Sequence, residues 1–218
     1  KRYVFHESGT LVSGIIGGLY SSTATISVLA RKSRKASEQE ATDYVAAMLL
    51  AVSMMFLRFM ILILIFSREI FLSIYPYLLT MAVVAAIVAW FIHSRQKRPE
   101  GQSAETEEDD SSNPLEFKVA LIFAVLFVIF TFLTHYTLVY AGTGGLNLLS
   151  FVSGFSDITP FILNLLQNTG SVAALIITAC SMQAIISNIM VNMFYALFFA
   201  GKGSKLRPWI LGGFGVVI

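Results

Sequence analysis

Two oppositely charged residues fall in stretches that are otherwise apolar: Arg58, ending Met55-Phe56-Leu57-Arg58, and Asp157, in Ser153-Gly154-Phe155-Ser156-Asp157-Ile158-Thr159-Pro160. An ionised side chain at the centre of a bilayer costs at least about 2.5–3.5 kcal/mol on insertion scales, so it faces a cavity, a partner or a bundle interior. Uncharged oxygens accompany both residues: Ser21, Ser22 and Thr23 early in the chain, Thr159 beside Asp157, and Asn188 and Asn192 further on. One carboxylate among hydroxyl and amide oxygens suits a hard cation or a proton, with Asp157 as the candidate metal ligand. Arg58 taken alone argues for an anion, so the sign of a bound ion stays open. Each residue also has a purely structural role available, an ion pair or snorkelling for Arg58 and a helix N-cap for Asp157.

These residues need a membrane to matter, and the composition supplies one. Of 218 residues, 56% are hydrophobic and 13% charged, against about 25% charged in a soluble domain. Several runs approach or exceed the roughly 20 apolar residues that cross a ~30 Å hydrocarbon core. The reading is an all-α integral membrane protein, a polytopic helical bundle of about six to seven membrane segments. Its one cysteine, Cys180, excludes disulfides within the chain. The sequence carries no cofactor motif and no nucleic-acid signature. It has no His-Glu-x-x-His, no Gly-x-Ser-x-Gly and no second membrane acid to pair with Asp157, so an enzyme is the weakest reading.

Two segments read as broken or re-entrant rather than spanning. In the first, from about 9 to 30, Gly14, Gly17 and Gly18 each weaken helix propagation by about 1 kcal/mol relative to alanine. The hydroxyls that follow, from Tyr20 to Thr25, can satisfy the backbone groups that a break leaves open. The second, from about 142 to 167, contains Asp157. Spans are expected over about 42–66, 70–92, 114–140 and 171–200, with a last one opening at Pro208. Pro76 falls early in the second of these, and Trp90 near its end reads as an interfacial anchor. His135, at the end of the span over 114–140, reads as an ordinary interfacial residue. Ser181, Asn188 and Asn192 recur at i, i+7 and i+11, which places them on one helix face.

Basic segments at 31–35, 93–98 and 202–207 mark cytoplasmic loops by the positive-inside rule. Residues 1–8 read as interfacial, and the acidic run from Glu100 to Asn113 as part of a disordered cytoplasmic linker. Laying Gly154 on Gly18 puts Asp157 on Ser21 and Thr159 on Thr23; a two-residue shift then puts Ser187 on Ser53 and Asn192 on Arg58. The chain thus divides into a first repeat over 1–93, the linker over 94–116, and a connecting helix with a second repeat over 117–218. If the broken segments are re-entrant, all three basic loops are cytoplasmic and the repeats are inverted. With Lys1 for a start and an apolar end at Ile218, the chain reads as a fragment with further membrane helices beyond it.

The run Gly17-Gly18-Leu19-Tyr20-Ser21-Ser22-Thr23-Ala24-Thr25, with Ala30-Arg31-Lys32-Ser33, resembles the signature of the domain of unknown function numbered 4010. That domain commonly forms the C-terminal half of MgtC/SapB-type membrane proteins. The resemblance extends through Met55 to Arg58, Ser153 to Asp157 and Ser187 to Val191, in the same order. Thr159 stands where the pattern commonly has a second acid, Asn192 where it has a lysine, and Leu57 where it has a proline. The resemblance implies a bacterial or archaeal inner-membrane protein linked to ion or metal transport. Together these readings predict transport of a small ion, a metal cation or a proton-coupled solute, through a midplane site. Ser21, Ser22, Thr23, Arg58, Asp157, Thr159, Asn188 and Asn192 are its candidate residues. The alternative is a non-transporting regulatory or assembly protein, and a homo-oligomer is compatible with either.

Overall fold

The computed structural model describes residues 9–34, 36, 38–94, 114–168, 172–200 and 206–218. The N-terminal residues 1–8, most of the acidic linker and most of the basic segments at 95–98 and 202–207 lie outside the described residues. Every described element is helical: α1 (Gly9–Ser33), α2 (Glu38–Phe66), α3 (Arg68–Ser94), α4 (Pro114–Ser153), α5 (Thr159–Gln167), α6 (Ala174–Ala200) and α7 (Arg207–Val217). Five stretches are long and apolar enough to cross a membrane by length and composition: 9–33, 41–66, 68–94, 124–153 and 174–200. Their outward faces carry large apolar side chains, among them Ile65, Trp90 and Val139, which lipid rather than water would cover.

The helices group into two packing units that do not follow chain order. The first draws on α1, most of α2 and α3, the C-terminal half of α6, and α7. Its core includes Ile26, Val45, Met48, Phe56, Phe59, Ile210 and Phe214. Small residues set the α1–α2 spacing. A Cβ on Gly14 would collide with the backbone of Ala47, and one on Gly18 would lie 2.5 Å from the Ala51 Cα. One turn on, Ser22 Oγ lies 3.3 Å from Met55 Sδ. Positions 14 and 18 therefore meet 47 and 51 in rising order, which means that the first part of α1 runs parallel to α2.

Only four residues separate α1 from α2, so parallel packing requires α1 to return. It does so at Ser21, whose backbone is extended (φ −155°, ψ 107°). Gly17 and Thr25, about 12 Å apart along an unbroken helix, lie against one another so closely that a Cβ on Gly17 would strike the threonine side chain. The stretches on either side of Ser21 thus lie side by side.

The second unit contains the end of α2 and the start of α3 (63–74), α4, α5 and the N-terminal half of α6. α4 bends at Gly142, where φ 58° and ψ −147° require a residue without a Cβ. The part beyond this bend packs along α6. Asn147 Oδ1 receives the Cys180 thiol at 3.5 Å, and the Phe151 carbonyl receives the Ser187 hydroxyl at 2.7 Å. Here too the residue numbers rise together, so 143–153 runs parallel to α6. Residues 154–158 then leave the helix, and α5 returns the chain. It packs on the first part of α4 through Phe130 and Phe161, with ring centroids 5.5 Å apart, and through Asn164 donating to Thr131 Oγ1 at 2.9 Å.

Candidate functional site

Polar chemistry concentrates where the two chain reversals expose backbone groups. In the first unit, helix geometry fails at Ser21, which leaves the Tyr20 carbonyl without a following turn to take it. Arg58 on α2 fills that need: its Nη1 donates to Tyr20 O at 2.7 Å, with Cζ 5.2 Å from the Phe59 ring centroid. Ser21 caps the returning helix. Its Oγ accepts from the Ala24 amide at 3.4 Å, the N3 position of an N-cap, and its own carbonyl receives Thr25 Oγ1 at 2.8 Å. Ser22 is buried against Met55, while Thr23 is half-buried with its carbonyl taken by Ser27 Oγ at 2.8 Å.

The second unit repeats this logic with other residues. Asn188 on α6 donates through Nδ2 to Gly154 O at 3.1 Å and Ser156 O at 3.4 Å, the carbonyls left open as α4 ends. Asp157 Oδ1 accepts from the Thr159 amide at 2.9 Å and from Thr159 Oγ1 at 2.7 Å, bonding the freed first amide of α5. Pro160 in the first turn of α5 has no amide to satisfy. Gly154 sits so close to α6 that a Cβ there would be 2.5 Å from Ser187 Cβ and 2.8 Å from the Asn188 amide nitrogen. Asp157 itself is exposed.

Ser21, Ser22, Thr23 and Arg58 therefore meet at one reversal, and Asp157, Thr159 and Asn188 at the other. Asn192, one turn beyond Asn188 on α6, is fully buried and belongs to the first unit. The polar face expected on α6 is an inward one, with Ser181, Asn188 and Asn192 each at most 2% exposed. Three backbone acceptors escaped the reading of the sequence: the carbonyls of Tyr20, Gly154 and Ser156. Backbone acceptors leave no trace in residue type. The small, polar Ser-Gly-x-Ser run was the available signal for the last two. Among the described residues, no group of three or more His, Cys, Asp or Glu gathers as a resident metal site would require.

Five helices long and apolar enough to cross a membrane mark the chain as an integral membrane protein. The chain belongs to the family described as Domain of unknown function (DUF4010), which matches residues 1–200. A relative from Aquifex aeolicus (strain VF5), described as an uncharacterized protein, is 26% identical over 208 residues, covering 93% of this chain and 87% of its own length. No solved structure matches the chain.

Proposed function

We propose that this chain is a membrane transport protein that moves a small ion, a metal cation or a proton-coupled solute, past a midplane site at the tips of two re-entrant helical hairpins. The observation that carries the reading is the pair of reversals, each with its open carbonyls held by a donor from the following long helix and an amide at the start of its returning arm bonded by a side chain. Each arm beside Ser21 has about 12 residues, or ~18 Å, too short to cross a ~30 Å core, so such a hairpin dips in and returns to the side it entered. Interrupted helices at bilayer depth occur where they are buried in protein or line a cavity, and they place free backbone dipoles at ion sites.

The chain separations support an internal repeat. Ser22 meets Met55 across 33 residues, Asn147 meets Cys180 across 33, and Gly154 meets Asn188 across 34. Three crossings, by α2, α3 and the first part of α4, separate the hairpins. An odd number makes them enter from opposite faces, the arrangement of inverted repeats. It also leaves the basic segments at 31–35, 93–98 and 202–207 on one side, which the positive-inside rule makes cytoplasmic. The membrane in this reading is a bacterial or archaeal inner membrane, in keeping with the MgtC/SapB-type architecture that the resemblance implies.

Asp157 supplies the exposed carboxylate for a cation or proton, and Thr159, Ser21, Ser22, Thr23 and Asn188 supply neutral oxygens and structure. Arg58 holds the first tip closed through Tyr20. The test is flux in proteoliposomes against a panel of divalent cations, monovalent cations, protons and simple anions, comparing wild type with Asp157→Asn and Arg58→Gln. Asparagine caps a helix as well as aspartate does, so flux of one ion that disappears in folded Asp157→Asn names the substrate class. Absence of flux and binding for the whole panel overturns transport in favour of a regulatory or assembly subunit.

A further inference from the structure

The C-terminal end of α6 carries a ladder of aromatic rings that neither reversal uses. Phe194 and Phe198 stack with centroids 6.1 Å apart and planes 18° apart; Phe198 meets Phe199 edge to face at 5.3 Å and 79°. The Arg31 guanidinium closes the ladder 4.4 Å from the Phe199 ring centroid. Phe194 and Phe198 are 61% and 68% exposed, and Arg31, Lys32 and Arg34 are exposed as well. An apolar strip thus leads along the outer surface of one packing unit to three cations at the end of α1. Asp43, the nearest described acid along the chain, is engaged with His93 Nδ1 at 2.7 Å.

We infer that this ladder and its cations form a binding site for an anionic phospholipid. The phosphate lies at Arg31, Lys32 and Arg34, and an acyl chain lies along Phe194 and Phe198. A planar guanidinium held over a ring keeps its donors directed outward for a phosphate, and cations at a membrane surface attract anionic headgroups. The apolar strip favours a lipid over an acidic peptide such as the chain's own run from Glu105 to Asp110, which would need the cations but not the rings. The inference does not depend on what the protein moves.

The experiment reconstitutes the full chain in phosphatidylcholine vesicles carrying a trace of spin-labelled phosphatidylglycerol or spin-labelled phosphatidylcholine and measures the fraction of each that the protein immobilises. Wild type should prefer phosphatidylglycerol. The double variant Arg31→Gln, Lys32→Gln should lower that preference by about three- to fivefold per charge removed, and Phe198→Ala should lower immobilisation of both lipids. Raising salt from about 0.05 to 0.5 M should weaken the wild-type preference, a measurement that needs no variant to fold. Equal immobilisation of the two lipids by wild type, or a preference indifferent to salt and to Arg31 and Lys32, overturns the proposal. A preference that appears only when Glu105, Glu107, Glu108, Asp109 and Asp110 are changed to Gln also overturns it, making the acidic run the occupant.

Discussion

Arg58 and Asp157 drew notice as charges in apolar surroundings, and at close range both are occupied with backbone. Arg58 donates to the Tyr20 carbonyl, and Asp157 receives the first amide of α5. These roles are structural, yet Asp157 remains exposed. Substitution separates hydrogen bonding from charge. Asp157→Ala should cost about 1 kcal/mol through loss of the bonds from the Thr159 amide and hydroxyl, whereas Asp157→Asn, whose Oδ1 accepts the same bonds, should leave stability within a few tenths of wild type; thermal unfolding in detergent reads the difference. Ser181 offers the opposite case. Its hydroxyl is buried with no hydrogen-bond partner among the described residues, as is that of Thr134. An unmet buried hydroxyl costs about 1–3 kcal/mol, so Ser181→Ala should unfold at the same or a higher temperature than wild type. A clear loss of stability would mean that the hydroxyl has a partner.

At the scale of elements, glycine decides how closely helices approach. Gly14 and Gly18 let α1 lie on the backbone of α2, and Gly154 does the same for the end of α4 against α6. Gly212 and Gly215 on α7 face open space instead. Residue type alone treats these glycines alike; only the neighbour distinguishes them. Gly18→Val should therefore destabilise strongly, by several kcal/mol, because the obstacle is backbone that cannot rotate away. Gly215→Ala should be neutral or slightly stabilising through helix propensity. Comparing the unfolding midpoints of the two variants checks this order. Gly142 adds a third kind: nothing crowds it, yet its positive φ makes an alanine there strained by conformation alone.

For the whole molecule, the telling question is which membrane face each helix end meets. If α1 is a re-entrant hairpin, both its ends lie on one side and the α2–α3 turn on the other. In a Cys180→Ala background, single cysteines at Thr10 and Arg34 should react with an impermeant maleimide added from the same face, and one at Arg68 from the opposite face. Labelling of Thr10 and Arg34 from opposite faces would make α1 a spanning helix and remove the inverted arrangement.

Hydropathy and glycine content determined a good deal by themselves. Long apolar runs fix where helices form because backbone groups in lipid must bond internally; the expected segments match α1, α2, α3 and α6 within a few residues, whereas α4 continues past the expected end near 140 to Ser153 and α5 is only the last part of the segment expected over 142–167. The weak points at Ser21 and 154–158 were also legible, since clustered glycines and hydroxyls lower helix propensity wherever they occur. The candidate site was legible by residue type but not by role. That Arg58 serves the Tyr20 carbonyl and Asn188 those of Gly154 and Ser156 depends on partners 32 to 38 residues away in the chain. Only the tertiary structure brings them together, because helix-on-helix packing, set by which glycines meet which backbone, decides which donor faces which open carbonyl.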